Sequence, residues 1–191
     1  MKNGWGGTIE PMPEQKLLTY ADLASFPDDG LRRELLEGEL LVSPAPRLRH
    51  QKTVGRLHGA IWVHLEQVGG AEVYLALTDV VLSDITVLEP DLLVVTDRQR
   101  AQLTEKNIQG PPALVIEVLS DPRIDRVRKR DLYAKYGVPE YWVVDPDAGQ
   151  VEIYRLTDRT FAAPQVLKPG ELLATPTLPG LSIDLATLFR R

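Results

Sequence analysis

The heptapeptide Ala113–Leu119 reads Ala-Leu-Val-Ile-Glu-Val-Leu, apolar at every position but one. A run of this kind reads as a strand buried on both faces, which commits the chain to a sheet covered on either side. A second apolar run follows at Tyr141–Val144, and the segment between them reads as a helix over 122–136, stopped by Gly137 and Pro139. Strand, helix and strand in that order suit a parallel pair joined by a right-handed crossover. The exception, Glu117, is a carboxylate inside an apolar strand. Buried alone it would cost several kcal/mol, so it needs a counter-charge, a proton or a metal.

The rest of the chain supplies the other layers. Thr19-Tyr20-Ala21-Asp22-Leu23-Ala24 predicts a short helix capped by Thr19, with Asp22 completing a capping box, and Asp28-Asp29-Gly30 ends it. Arg33 to Val42 predicts a hairpin turning at Glu37-Gly38, closed by Ser43-Pro44-Ala45-Pro46. From His50 to Val68 the apolar positions Val54, Leu57, Ile61, Leu65 and Val68 fall on one helical face, and Gly69-Gly70 stops the helix. Glu72–Leu82 reads as one strand, Asp91–Val95 as another after Pro90, and 97–112 as a polar connection. Asp145–Gly149 turns the Tyr141 strand into Val151–Tyr154. The expected fold class is α/β, a mixed central sheet flanked by helices with an N-terminal hairpin. It forms a single domain over 17–191 after an arm at 1–16.

Composition narrows the function. No run of 18 apolar residues marks a membrane span, and the N-terminus lacks the apolar stretch of a secretion signal. The absence of cysteine rules out disulfides, thiolate zinc sites and cysteine nucleophiles, and fits a cytoplasmic protein. A net charge of −5 argues against indiscriminate nucleic-acid binding. The charge is nevertheless segregated. Arg47, Arg49, Lys52 and Arg56 cluster without an acid between them, and basic residues outnumber acidic ones across 121–136. Solvated helix faces account for such clusters as readily as a nucleic-acid surface does.

Three features carry chemistry. Asp91 stands at the mouth of one apolar strand, and Glu117 lies on the strand that follows. Asp125, Lys129 and Tyr133, four residues apart, stack on one face of the next helix. Two carboxylates on neighbouring strands make an oxygen-rich site suited to Mg²⁺ or Mn²⁺, and a lysine beside them stabilises charge on a phosphate. Each has a plainer reading. Asp91 caps a strand start, Asp125 and Lys129 form a surface pair, or Glu117 pairs with Lys129 or an arginine and binds no metal.

Pro90-Asp91 followed by Glu117-Val118-Leu119-Ser120 resembles the PD-(D/E)XK signature of the restriction-endonuclease-like superfamily. More narrowly, the chain resembles the bacterial Uma-two group of predicted endonucleases. The matching pieces are Glu34-Leu35-Leu36-Glu37-Gly38-Glu39-Leu40, Ser43-Pro44-Ala45-Pro46, His50-Gln51, Asp125-x3-Lys129-x3-Tyr133, Gly137–Pro146 and Leu178–Leu181. The resemblance spans about residues 18–189. It implies a restriction-endonuclease-like core and a divalent-metal-dependent endonuclease that hydrolyses phosphodiester bonds of nucleic acid, DNA foremost. Asp91 and Glu117 would be the metal ligands for Mg²⁺ or Mn²⁺, with a backbone carbonyl near Val118. The superfamily lysine, two residues after the glutamate, is replaced by Leu119, which makes Lys129 the candidate. Glu34 and His50 would complete the catalytic set. Arg47, Arg49, Lys52, Arg123 and Arg126 would bind the nucleic-acid backbone, and cutting both strands would require a homodimer. Trp5 and the apolar C-terminus are candidates for that interface or for core packing. The alternatives are a catalytically inactive nuclease-like module that binds nucleic acid or a protein, and a hydrolase of small phosphoesters.

Overall fold

A computed structural model describes residues 16–27 and 29–190. The arm expected at 1–16, including Trp5, lies outside the described residues except for Lys16, and Asp28 lies outside them too. Helix α1 (Tyr20–Leu23) begins with the predicted capping box: Asp22 N–H donates to Thr19 Oγ1 and Thr19 N–H to Asp22 Oδ2. Strands β1 (Arg32–Leu36) and β2 (Glu39–Ser43) form the hairpin. Its turn places Glu37 and Gly38 at φ 55° and 86°, the left-handed pair that a two-residue hairpin loop requires. Helix α2 (Leu48–Val68) buries Val54, Leu57, Ile61 and Leu65, while Val68 at its end is exposed.

Glu72–Leu82 is not one strand. It divides into β3 (Ala71–Leu75) and β4 (Asp79–Ser83), which join different sheets. Strand β3 pairs with β6 (Leu92–Thr96), whereas β4 pairs with β5 (Thr86–Leu88) and with β7 (Asn107–Gln109). The connection at 97–112 therefore carries β7 as well as a 3₁₀ turn at Asp97–Gln102. Strand β8 (Leu114–Val118) bears Glu117. The expected helix over 122–136 is a π-helical turn, Ile124–Lys129, running into α3 (Arg130–Lys135). After it come β9 (Glu140–Asp145), β10 (Gln150–Thr157), β11 (Thr160–Phe161) and β12 (Gln165–Leu167). The hairpin β13 (Leu172–Thr175) and β14 (Leu178–Asp184) leads to α4 (Leu185–Leu188).

The large sheet has the order β11-β10-β9-β8-β6-β3. It is mixed: β8 and β9 run parallel, as the crossover predicts, and β6 pairs antiparallel with β8. Alternation along the strands gives it two apolar faces. Leu92, Val94, Leu114, Ile116 and Val118 pack in one cluster with the α2 stripe. Leu185 and Leu188 of α4 join that cluster, so the C-terminal apolar tail packs on the core. On the other face Val115 packs with Leu132, Tyr133, Tyr141 and Val143. Beside them Leu93 and Val95 meet Val80 and Ile108 of the second sheet, β2-β1-β5-β4-β7. Two sheets thus lie against one another at the face that carries Glu117.

Candidate active site

Period two along the strands brings the acids together. Leu92 pairs with Ile116, and continuing that register by one residue sets Asp91 opposite Glu117. On β1, Arg32, Glu34 and Leu36 share one face. Leu36 packs in the cluster beside Glu117, so Arg32 and Glu34 are turned to the same side. The π-helical turn ends at Lys129, whose side chain runs back over β8. Every residue expected in the site, Asp91, Glu117, Lys129, Glu34 and His50, enters one connected network.

Lys129 Nζ lies 2.8 Å from both Glu117 Oε1 and Glu34 Oε1, and all three side chains are at most 2% exposed. Tyr133 O–H donates to the same Glu117 oxygen at 3.2 Å. Glu34 Oε1 also accepts from the Glu89 N–H at 2.9 Å. His50 Nε2 is 3.0 Å from Asp91 Oδ2, which also accepts the Val118 N–H at 2.8 Å. Val118 thus presents its N–H to Asp91. Asp125 is buried, but it forms no pair with Lys129; its Oδ2 accepts the N–H groups of Ser120 and Asp121 at 3.0 and 3.2 Å. It therefore fixes the start of the turn that delivers Lys129.

Arg32 was not foreseen. Its Nη1 donates to Asp91 Oδ1 at 2.9 Å and its Nη2 to Glu117 Oε2 at 3.2 Å, while Nε stands 3.5 Å from Glu34 Oε2. The signal that could have found it is its spacing: two residues before Glu34 on a strand, it shares that residue's face. The hairpin had been expected to begin at Arg33, one residue too late. Of the pairings considered for Glu117, the carboxylate makes both, one with a lysine and one with an arginine.

Three carboxylates face two permanent cations, which leaves one buried negative charge in excess. Burial pushes Glu117 up to about 7, against the pull of Lys129 and Arg32 and with help from Asp91 and Glu34. Burial opposes the charge on Lys129, but Glu117 and Glu34 overcome it and raise its value, so Lys129 stays an ammonium. Asp91 is also pushed up by burial, yet His50, Arg32 and the Val118 N–H together hold it below its ordinary value. His50 is raised, because Asp91 outweighs desolvation. Burial thus favours a proton on Glu117, whereas Asp91 is held toward its ionised form.

Asp91 and Glu117 share a cation in the fold, and that cation is the Arg32 guanidinium. Asp91 Oδ1 and Glu117 Oε2 each accept from a terminal nitrogen of Arg32, and Glu34 Oε2, 3.5 Å from Arg32 Nε, is buried without a hydrogen-bond partner. Hard oxygens so placed fit Mg²⁺ or Mn²⁺. As the side chains stand, the Asp91 and Glu117 oxygens are both taken by Arg32. Among the described residues no three His, Asp or Glu are grouped as metal ligands.

The basic residues divide. Arg126 is held between Glu152 and Asp145 at 2.8 and 3.0 Å, so its charge is matched within the fold. Arg49 bonds exposed Asp147 at 2.8 Å. Arg47, Lys52 and Arg123 are exposed. Beside α2, a cavity of 320 Å³ has a lining that is half basic (Arg49, Lys52, Arg56 and Arg190) and otherwise mainly apolar, from Leu48, Leu188 and Phe189. No helix among the described residues is long and apolar enough to cross a membrane.

Residues 18–186 match the model of a family described as "Uma2: Putative restriction endonuclease", and the chain belongs to that family. The fold is similar to the crystal structure of a putative nuclease belonging to DUF820 from Anabaena variabilis. The TM-score is 0.76 at 21% identity, covering 90% of this chain and 97% of that one. At that identity the likeness is one of fold, restriction-endonuclease-like. No curated protein matches the chain.

Proposed function

Taking this family membership as the premise, we propose that the protein is a divalent-cation-dependent endonuclease that cleaves nucleic-acid phosphodiesters, DNA foremost. The observation that carries the reading is Lys129. It comes from the turn after β8, yet its Nζ lies 2.8 Å from Glu117 and from Glu34, which supplies the cation that Leu119 cannot. Asp91 and Glu117 would hold Mg²⁺ or Mn²⁺, which when bound activates water and neutralises phosphate charge. The protein's own groups do the rest. Lys129, held by Glu34, stabilises negative charge developing at the phosphate. His50 and the Val118 N–H fix Asp91 in its ionised form, and Tyr133 steadies Glu117. Arg47, Arg49, Lys52 and Arg123 contact the nucleic-acid backbone, with the basic cavity beside α2 as its track. Arg126 would join them only by opening its internal ion pairs. A homodimer in the cytoplasm would allow both strands to be cut.

A second reading, a nuclease-like module that binds without cutting, is favoured by one observation: Lys129 is 2% exposed and its charge is satisfied internally. Incubating plasmid and oligonucleotides with Mg²⁺ or Mn²⁺, against an EDTA control, separates the two. Asp91→Ala, Glu117→Ala and Lys129→Ala should each abolish cleavage. Cleavage that survives all three sinks the nuclease assignment at this site, and wild-type binding without cleavage selects the module.

A further inference from the structure

Resting on the divalent-cation reading above, we infer that Arg32 is a resident competitor for the metal position. A divalent cation reaches Asp91 and Glu117 only by displacing its guanidinium, and Arg32 thereby sets the metal affinity.

The two carboxylates are built alike. Asp91 Oδ2 is fixed by His50 and the Val118 N–H, and Glu117 Oε1 by Lys129 and Tyr133. The remaining oxygens, Asp91 Oδ1 and Glu117 Oε2, bond only Arg32. One oxygen of each acid is therefore anchored in the scaffold, and the other is turned to the same guanidinium. Those two oxygens are the ones a metal would take.

Arg32 is also the replaceable cation of the two. Its side chain is 18% exposed, whereas Lys129 is 2% exposed behind the carboxylates. An ion arriving from solvent meets Arg32 first. The seat is imperfect as well: Arg32 Nε and Glu34 Oε2 are buried, lack hydrogen-bond partners and stand 3.5 Å apart. Exchange of this single charge for a double one would bring the three carboxylates and Lys129 to neutrality. Leaving the acids with no cation there would strand two buried charges, so the guanidinium keeps the network folded until the metal arrives.

The test uses metal-stripped full-length protein. Titration calorimetry with Mn²⁺ alone compares wild type, Arg32→Lys and Arg32→Gln. Affinity should rise in that order, with Arg32→Gln at least about tenfold tighter than wild type. In wild type, Arg32 side-chain ¹⁵N signals should show a rigid, protected guanidinium that becomes mobile on saturation with Mg²⁺. The second readout decides the matter even if Arg32→Gln fails to fold. Wild type that binds Mn²⁺ as tightly as folded Arg32→Gln, or Arg32 signals unmoved at Mg²⁺ saturation, overturns the competition alone. Absence of Mn²⁺ binding by every folded form overturns the divalent-cation reading and this inference with it.

Discussion

Replacing Lys129 by methionine separates charge from volume at the centre of the network. Methionine is of similar length and pliable enough to fill the same space, so the loss is that of an ammonium bonded at 2.8 Å to two buried carboxylates. Removing one partner of a buried ion pair costs about 3–5 kcal/mol. The pH dependence of that cost follows from Glu117. Burial raises its folded value to about 7 from 4.5, so below pH 7 both proteins keep the proton there and Glu117 contributes nothing to their difference. Above pH 7 the wild type releases that proton against Lys129, whereas the variant has no ammonium to receive the charge and must retain it. Each further pH unit then adds about 1.4 kcal/mol to the loss until the variant's own carboxyl ionises. Urea unfolding in EDTA, followed by the fluorescence of buried Trp142, should show a loss of about 3 kcal/mol near pH 6 that grows by about 2 kcal/mol near pH 8.5. The double variant Glu117→Gln/Lys129→Met should lose that growth. A deficit equal at both pH values in the single variant, or growth that persists in the double one, would refute the assignment of the excess charge to Glu117.

Two further substitutions probe the surroundings. Glu89 is buried with one orphaned oxygen, and burial, with Asp79 and Glu34, pushes it up to about 7 from 4.5. The folded state holds that proton where the unfolded state has lost it, so Glu89's share of stability falls as pH rises from 4.5 to 7. Glu89→Gln should flatten that share and gain on the order of 3 kcal/mol at most near pH 8, measured by urea titration across the window; an unchanged pH profile would count against it. Asp125→Ala strips the acceptor from the Ser120 and Asp121 amides and should cost about 1–3 kcal/mol, with faster hydrogen exchange at both amides and lower activity through a misplaced Lys129. Unaltered exchange there would show that Asp125 does not fix the turn.

What could be read from the sequence was whatever is local. The Ala113–Leu119 and Tyr141–Val144 runs announce buried strands because their apolarity is continuous, and Glu117 stands out for the same reason. Lys129 was found because four-residue spacing on a helix is a local rule, although the turn is π-helical, a change no residue there signals. The division of β3 from β4 was not visible, since Ala76-Leu77-Thr78 contains no breaker and only pairing with different sheets separates the halves. Arg32 escaped for a related reason. Its partners lie 59 and 85 residues away, on a sheet other than its own.

That last arrangement has a consequence for how the protein matures. Arg32 and Glu34 belong to the small sheet, while Asp91 and Glu117 border the central strands of the large one. Neither sheet by itself possesses the network. During synthesis the hairpin emerges long before Glu117 and Lys129, and its charged pair must wait in water for them. The acids reach their final spacing only when the layers dock, so a half-folded chain carries no assembled cluster.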